Sequence, residues 1–181
     1  MASNAVTHES YVFATDLGWI ALVWQEGVLR QLSFGLATEH AARKALGAAV
    51  MDEFDAASCP LGLAARLRAF AGGAKEDFAD VPLALDELSP FQRRVVQACR
   101  KIPFGQTLSY GALAAKAGSP RAARAVGTTM ATNCTPLVVP CHRVVHSGGA
   151  LGHYSGPHGP SMKQRLLELE SRAAAKSTRR K

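Results

Sequence analysis

The first third of the chain contains three short apolar and partly alternating segments, which two Gly-containing turns separate. Each segment is rich in aromatic and β-branched residues, and a period of two is typical of half-buried strands. The turns, Asp16–Gly18 and Gln25–Gly27, are short enough to join antiparallel neighbours. The pattern therefore predicts a three-stranded meander over Tyr11–Thr15, Trp19–Trp24 and Val28–Phe34.

The pattern then changes to the spacing of helices. Two helices are predicted, over Thr38–Leu46 and Leu63–Phe70, and the Ala-, Asp- and Gly-containing stretch between them is predicted to be a loop. No catalytic constellation is evident in this part of the chain. His8 and His40 are isolated from other titratable motifs, so we expect both at the surface.

A second group of helical signals begins at Ser89. Ser89 is a suitable N-cap and Pro90 suits the first turn, while Pro103 ends the helix. Apolar residues recur between them at helical spacing, which predicts one buried stripe. The members of this stripe are Phe91, Val95, Ala98, Cys99 and Ile102.

Two shorter helices follow this one. Ser109 can cap the first, which Gly118 ends, and Ser119–Pro120 opens the second, over Arg121–Met130. Two short helices joined by a tight turn favour a helix-turn-helix, whose second helix docks on DNA. The alternative is an alanine-rich helix that packs inside the domain.

The last part of the chain contains an apolar run, Leu137–Val139, which predicts a buried strand that ends near Cys141 and His142. A glycine-rich segment follows and is predicted to be a loop. The final predicted helix covers Ser161–Arg172, opened by a capping box between Ser161 and Gln164.

Composition and charge divide the chain in two. Residues 1–88 hold 6 basic and 12 acidic residues, a net charge of −6, whereas residues 89–181 hold 15 basic and 2 acidic residues, a net charge of +13. This asymmetry predicts two domains, 1–88 and 89–181, of which the second meets a polyanion and ends in a basic tail. A solvated basic face is the alternative.

The redox state of the four cysteines follows from the composition. The N-terminus shows no charged-then-apolar signal pattern and no apolar run is long enough to suggest a membrane span, so we expect free thiols in a reducing compartment.

Cys141 and His142 suggest nucleophilic chemistry. A thiol is mostly protonated at neutral pH, so it needs a base or cation nearby. His142 and Arg143 can supply these, and a carboxylate such as Glu170 can orient the histidine. By themselves, these residues allow a hydrolase, a redox thiol or a metal site, although Cys134 and Cys141 lack the second pair that a zinc finger needs.

The second half of the chain resembles the O6-alkylguanine-DNA alkyltransferases over about residues 89–172. The resemblance is carried by Pro140–Val145 (PCHRVV), by Ala122–Gly127 (AARAVG) and by the distance from Asn133 to the cysteine. Tyr110, Gly152–Gly156 and Leu166–Glu170 also fall in the family's order. The resemblance implies an α+β protein with a small ribonuclease-H-like N-terminal domain and a mostly helical, winged-helix-like C-terminal domain that contains the helix-turn-helix.

The resemblance also implies a reaction: Cys141 irreversibly accepts the alkyl group of O6-alkylguanine, with O4-alkylthymine as a further candidate substrate. It implies that His142 and Glu170 deprotonate the thiol, that Asn133 braces the active-site turn and that Tyr110 donates to the guanine. The implied substrate contacts are Tyr110, Val144, Tyr154 and Ser155. The implied DNA contacts are Arg121, Ala123, Arg124, Ala125 and Gly127, with Arg124 entering the base stack.

The remaining implications concern partners and location. We expect no metal or organic cofactor, double-stranded DNA as the partner, and a monomer that could bind DNA cooperatively. The expected location is the cytoplasm, at the nucleoid in a bacterium, or the nucleus in a eukaryote. Two rival functions are a lesion binder without activity and a helix-turn-helix regulator. Cys134, His153 and Pro157–Gly159 depart from the family's pattern, which affects the expected shape of the alkyl pocket.

Overall fold

The computed structural model of the protein describes residues 8–47, 52–152, 154 and 156–178. These residues form two compact units. The first contains the residues up to Gly72 together with Asp80–Ala84, and the second contains Gly73–Ala79 together with the residues from Leu85 onward. The predicted single boundary after residue 88 is therefore replaced by a segment, Asp80–Ala84, that returns to the first unit.

The first unit confirms the predicted meander. Strands β1 (His8–Thr15), β2 (Gly18–Gln25) and β3 (Val28–Leu36) pair in antiparallel order. A two-residue strand that the sequence did not predict, β4 (Asp52–Glu53), pairs parallel to β1, so the sheet order is β3-β2-β1-β4.

Both predicted helices of this unit are present. Helix α1 (Glu39–Ala45), capped by the Thr38 side chain, packs its Ala42 against Ala21 and Val23 of the sheet. Helix α2 (Leu63–Ala71) contacts β1, and the Arg68 guanidinium lies 4.9 Å from the centre of the Phe13 ring. The two helices thus cover opposite faces of the sheet, and Ile20–Trp24 of the central strand β2 are buried without alternation, so the half-buried pattern expected of this strand is wrong.

The second unit contains the three helices expected from residue 89 onward. Helix α3 (Pro90–Arg100) has the predicted N-cap, because Ser89 and Gln92 form a reciprocal capping box. Helix α4 (Tyr110–Lys116) is capped by Ser109, as predicted. Helix α5 (Ala123–Ala131) begins two residues later than Arg121, because Ser119–Ala122 form the turn that joins it to α4.

A short parallel pair connects the beginning of α4 to the cysteine segment. Strand β5 (Leu108–Ser109) pairs with β6 (Val144–Val145), with Leu108 opposite Val144. Because α4 begins directly after β5, this pair holds Tyr110 close to the segment that contains Cys141.

Helix α6 (Pro160–Thr178) is longer than the predicted Ser161–Arg172. The predicted capping box is wrong: the Ser161 hydroxyl donates to the His158 carbonyl, and the Gln164 amide donates to Glu168. Ser161 lies inside the first turn, so its side chain cannot occupy the N-cap position. The basic tail beyond Thr178 lies outside the described residues, and none of the described helices combines the length and the apolar character that crossing a bilayer requires.

Candidate active site

The cysteine segment is a set of turns, and the predicted strand over Leu137–Val139 is wrong. Pro136 and Val139 form only an isolated bridge, and Leu137 has a φ of 71°. Cys141 is the first residue of a single 3-10 turn, Cys141–Arg143. Prolines at 136 and 140 remove two of the backbone donors that a strand would use, and this explains why a fully buried apolar run does not form one here.

Asn133 braces these turns. Its amide nitrogen donates to the Val139 carbonyl (3.0 Å) and to the Cys141 sulfur (3.2 Å), and its side-chain oxygen accepts from the Thr135 N–H (3.1 Å). One side chain therefore ties the end of α5 to the sulfur. The geometry is that expected for the bracing residue.

Behind the sulfur lies a buried cluster around Glu170, a residue of α6. Its carboxylate accepts from Nε2 of His142 (2.9 Å), from the Arg143 guanidinium (2.9 Å) and from the backbone N–H of Gly105 (2.8 Å). Although burial raises the pKa of Glu170, the hydrogen bonds and charges of His142 and Arg143 hold it at about 2. Glu170 is therefore a carboxylate at any physiological pH.

His142 is fully buried, and burial lowers its pKa despite the opposing effect of Glu170. The imidazole is thus neutral in the resting protein, and the carboxylate at Nε2 favours the tautomer that carries its proton there. Nδ1 then has a lone pair, and it is buried without a hydrogen-bond partner among the described residues. An unpaired buried nitrogen of this kind is suited to accept a proton.

The cation near the sulfur is Lys163, which the sequence analysis did not single out. Burial raises the pKa of the Cys141 thiol, while the Asn133 hydrogen bond and the charge of Lys163 lower it. Lys163 is itself buried and its Nζ donates to the Val144 carbonyl (2.6 Å). Arg143, the cation predicted for this purpose, is bound instead to Glu170 and to the Ile102 carbonyl (2.7 Å).

A cavity of about 350 Å³ opens beside Cys141. This volume is in the range of pockets that hold a small molecule or a single base. Its wall combines one thiol and several aromatic rings with residues from the whole length of α5. The lining residues are Tyr110, Ala123, Arg124, Gly127, Met130, Ala131, Cys141, His146 and Tyr154.

The surface of α5 is small-sided and carries two cations. Arg121 in the preceding turn is exposed, as are Arg124 and Ala125, whereas Ala123 and Gly127 are half-buried. The helix packs into the unit through Val126, Thr129 and Met130, so an alanine-rich helix buried on all sides is excluded.

The structure brings most of the predicted site residues together. Cys141, Tyr110, Tyr154, Arg124, Ala123 and Gly127 share the cavity, while His142, Glu170 and Asn133 lie directly behind it. Val144 does not line the cavity, because its side chain is buried in β6; Ser155 and His153 lie outside the described residues. Arg121 and Ala125 lie on the exposed surface of the helix-turn-helix.

Sequence reasoning missed four residues of this site: Met130, Ala131, His146 and Lys163. The spacing of Met130 marks it only as a core position of α5. His146 and Lys163 are titratable residues close in sequence to the recognised motifs. This closeness is the signal in the sequence that could have marked them as site residues. No three His, Cys, Asp or Glu side chains within the described part of the chain are grouped so that they could hold a metal ion.

Comparison with known proteins agrees with this arrangement. Residues 90–172 match the family described as "6-O-methylguanine DNA methyltransferase, DNA binding domain". A mouse methylated-DNA–protein-cysteine methyltransferase is 53% identical over 81 residues, which are 44% of this chain and 38% of the mouse protein. The protein of that name from Mycolicibacterium paratuberculosis is 45% identical over 113 residues, 58% of this chain and 67% of the relative.

Solved structures extend the similarity to the first unit. The crystal structure of Mycobacterium tuberculosis OGT in complex with DNA has a TM-score of 0.73 and 34% identity, and the match covers 91% of this chain and 94% of that one. The O6-methylguanine-DNA methyltransferase from Pyrococcus kodakaraensis has a TM-score of 0.67 and 25% identity, covering 91% and 99%. The fold and site thus define a mixed α/β DNA-binding protein built around a buried cysteine. The chain belongs to the methylated-DNA–protein-cysteine methyltransferase family.

Proposed function

We propose that this protein repairs DNA directly, by moving the alkyl group of an O6-alkylguanine irreversibly onto its own Cys141. The observation that supports this most is the position of the Cys141 sulfur, on the wall of a base-sized cavity beside a DNA-reading helix and in front of the His142–Glu170 pair. Extension to O4-alkylthymine is part of the same proposal.

The bond changes balance without an added reactant. The sulfur forms a bond to the alkyl carbon, the bond from that carbon to O6 breaks, and the electron pair remains on the guanine. The thiol proton moves through a bridging water to Nδ1 of His142, whose new charge Glu170 stabilises. The thioether has no easy hydrolytic exit, so one molecule repairs one lesion.

Tyr110 acts on the guanine side of the reaction. Burial, and to a smaller extent the charge of the nearby Cys141, raises the pKa of the Tyr110 hydroxyl. This hydroxyl therefore keeps its proton and can donate a hydrogen bond. We assign it a hydrogen bond to the guanine ring that favours departure as a neutral base. Tyr154 and the neighbouring Ser155 complete the proposed contacts of the substrate.

The lesion reaches the cavity by base flipping. Arg124 lies at the mouth of the cavity and is exposed, so it can occupy the space that the base leaves. Ala123, Ala125 and Gly127 allow the helix to approach a minor groove closely, and Arg121 meets the phosphates. Flipping costs a few kcal/mol, less for a poorly paired lesion, and this favours damaged bases.

Several finer features belong to the same proposal. The first unit is assigned a ribonuclease-H-like fold and the second a winged-helix-like fold, on the basis of the meander with its helices and of the α4–α5 pair with β5–β6. We assign double-stranded DNA with O6-alkylguanine as the substrate of a monomer that binds cooperatively. The proposed location is the compartment that contains the DNA, either the bacterial cytoplasm or the nucleus.

Peptide mass mapping tests the reaction. The protein is incubated with a duplex that contains one O6-methylguanine, and the Cys141 peptide is expected to gain one methyl group per molecule. Cys141→Ser should abolish transfer and retain DNA binding. Tight lesion binding without a modified peptide would identify a lesion binder, and equal binding to damaged and undamaged DNA without transfer would identify a regulator.

The flipping step is tested separately with Arg124→Ala. This variant should slow repair of duplex DNA while leaving the reaction with free O6-benzylguanine within about twofold of normal, because the free base needs no extrusion. Equal loss on both substrates would contradict the assigned role.

A further inference from the structure

His146 lies in the cavity wall but belongs to no motif that the proposed reaction uses. Its ring contacts the ring of Tyr110, with centroids 5.3 Å apart and planes tilted by 53°. Both side chains line the cavity that contains Cys141. A tilted ring contact fixes the two side chains relative to one another.

The polar ends of the two side chains converge above Gly152. A Cβ atom at this glycine would stand 3.0 Å from Nε2 of His146 and 3.2 Å from the hydroxyl of Tyr110. At such distances a Cβ atom would push the His146 ring and the Tyr110 hydroxyl away by a few tenths of an ångström, and the φ of 71° also suits glycine. Nε2 of His146 and the hydroxyl of Tyr110, which can both donate hydrogen bonds, therefore lie next to the same small space beside Gly152. A side chain at position 152 would occupy this space.

The backbone holds His146 in this position. Its N–H donates to the Ala150 carbonyl (2.9 Å) and its carbonyl accepts from the Gly149 N–H (2.9 Å), which closes a tight turn directly after β6. The residue is exposed to solvent and also lines the cavity.

The surrounding charges suit a base that leaves as an anion. The titratable or charged residues that line the cavity with His146 are Tyr110, Arg124, Cys141 and Tyr154. Lys163 Nζ lies 5.7 Å from the centre of the Tyr110 ring. No carboxylate lines the cavity among the described residues, and Glu170 is bound to His142 and Arg143.

We propose that His146 is a second catalytic donor, which acts beside Tyr110 on the guanine as the guanine leaves the alkyl carbon. The inference rests on the proposed function. As the bond from the alkyl carbon to O6 breaks, the electron pair moves onto the guanine ring. A hydrogen bond from Nε2–H stabilises that charge, and the ring gains its proton from the Tyr110 hydroxyl, which solvent then reprotonates.

Two substrates with the same alkyl group distinguish this role from pocket shape. O6-benzylguanine releases a guanine that needs a donor. A benzyl ether of an electron-poor aminochloropyrimidine releases a stable anion that needs none. His146→Leu removes the donor at similar size and His146→Gln retains one, while His40→Gln, at an exposed position of α1, is the matched control.

Rates of benzyl transfer to Cys141 are measured for each protein with both substrates. His146→Leu should slow the reaction of O6-benzylguanine by about tenfold and that of the pyrimidine ether by less than about twofold, with much of the loss restored in His146→Gln. His40→Gln should match the wild type. Unchanged unfolding midpoints would show that all four proteins are folded.

Two results would overturn the proposal: an equal loss on both substrates, which would mean that His146 only shapes the cavity, or no loss on either. If the wild type labelled Cys141 neither with a benzyl group nor with the methyl group of an O6-methylguanine duplex, the proposed function would fall, and this inference with it. The wild-type reaction therefore separates failure of the function from failure of the role of His146.

Discussion

At the scale of single residues, the site depends on hydrogen bonds that set protonation. Glu170 holds the proton of His142 on Nε2 and leaves a lone pair on Nδ1, which is buried without a hydrogen-bond partner among the described residues. A base must have both the correct tautomer and a stabilised charged form. The carboxylate supplies both, although it does not contact the sulfur.

Glu170→Gln tests this dependence. The neutral amide cannot stabilise the imidazolium, so methyl transfer should slow by about 100-fold, in the range that general base catalysis supplies. Single-turnover rates with an O6-methylguanine duplex measure it. Glu168→Gln is the matched control, because Glu168 lies on the same helix in an exposed ion pair with Arg172 and should react normally. A normal rate in Glu170→Gln would remove the carboxylate from the mechanism.

Asn133 provides a second test at this scale. Asn133→Asp keeps the size of the side chain but cannot donate to the sulfur, and its charge would oppose formation of the thiolate. Transfer should slow by about tenfold or more, because a hydrogen bond to a charged group is lost and a repulsion is added. Cys134→Ser, at the exposed neighbouring position, should leave the rate unchanged. Equal rates in both variants would show that the amide contact has no role in activation.

At the scale of elements, the site is held by contacts between segments that are distant in the sequence. The β5–β6 pair places Tyr110 beside the cysteine turn, and α6 brings Glu170 to the same place. The turn after α3 also takes part, because the Gly105 N–H donates to Glu170 and the Ile102 carbonyl accepts from Arg143.

Gly105→Ala tests the contribution of that turn. Gly105 has a φ of 75°, and a Cβ there would lie 3.2 Å from the Ala174 Cβ of α6. Strain in the left-handed region together with this contact should cost about 1–3 kcal/mol of unfolding free energy, measured by urea denaturation. Transfer should also slow, because α6 carries Glu170.

Gly148→Ala is the control for this substitution. A Cβ at Gly148 would have no neighbour within 4 Å, and its φ is not in the positive region. Its stability should stay within about 0.5 kcal/mol of the wild type. Similar losses in the two variants would argue against a specific role for the turn at Gly105.

At the scale of the whole molecule, charge is concentrated in the part of the chain that carries the helix-turn-helix. Residues 89–181 have 15 basic and 2 acidic residues, a net charge of +13. Cations that neutralise phosphates release counterions, so DNA affinity should fall with added salt.

The salt dependence gives a direct measurement. The logarithm of the affinity for an undamaged duplex should fall linearly with the logarithm of the salt concentration. Arg121→Ala should reduce the magnitude of that slope by about one, as expected for one lost phosphate contact. Lys44→Ala, in α1 of the first unit, should leave the slope unchanged. An unchanged slope in Arg121→Ala would remove this residue from the DNA contacts.

Acid stability is the second property at this scale. The pKa of Glu170 falls from its ordinary value of 4.5 to about 2 in the folded protein. The resulting stabilisation is fully present above about pH 4.5 and is lost as the pH falls toward 2. The difference in unfolding free energy between the wild type and Glu170→Gln should therefore shrink over this range, whereas that of Glu168→Gln should not. A constant difference would show that Glu170 is not ionised in the cluster.

The sequence by itself determined the local structure wherever one residue or one period decides it. The strands β1 to β3 and the caps of α3 and α4 were predicted correctly, because turn glycines, strand-forming residues and cap chemistry act over a few neighbouring residues. The motif around Cys141 likewise indicated the family. The conformation of the apolar run before Cys141, Leu137–Val139, could not be predicted in this way. All three residues are buried, so the sequence shows no alternation of apolar and polar residues that would distinguish a strand from a turn.

The sequence and its family resemblance already paired His142 with Glu170, but only the tertiary structure decided what the two cations, Arg143 and Lys163, contact. Glu170 lies 28 positions after His142 in the chain, and Lys163 lies 19 positions after Val144, yet both pairs are in contact. Sequence reasoning assigned Arg143 to the thiol because the two are neighbours in the chain. In the fold, burial makes any unpaired charge costly, so Arg143 binds Glu170, while Lys163 is the cation near the sulfur and His146 stands beside Tyr110.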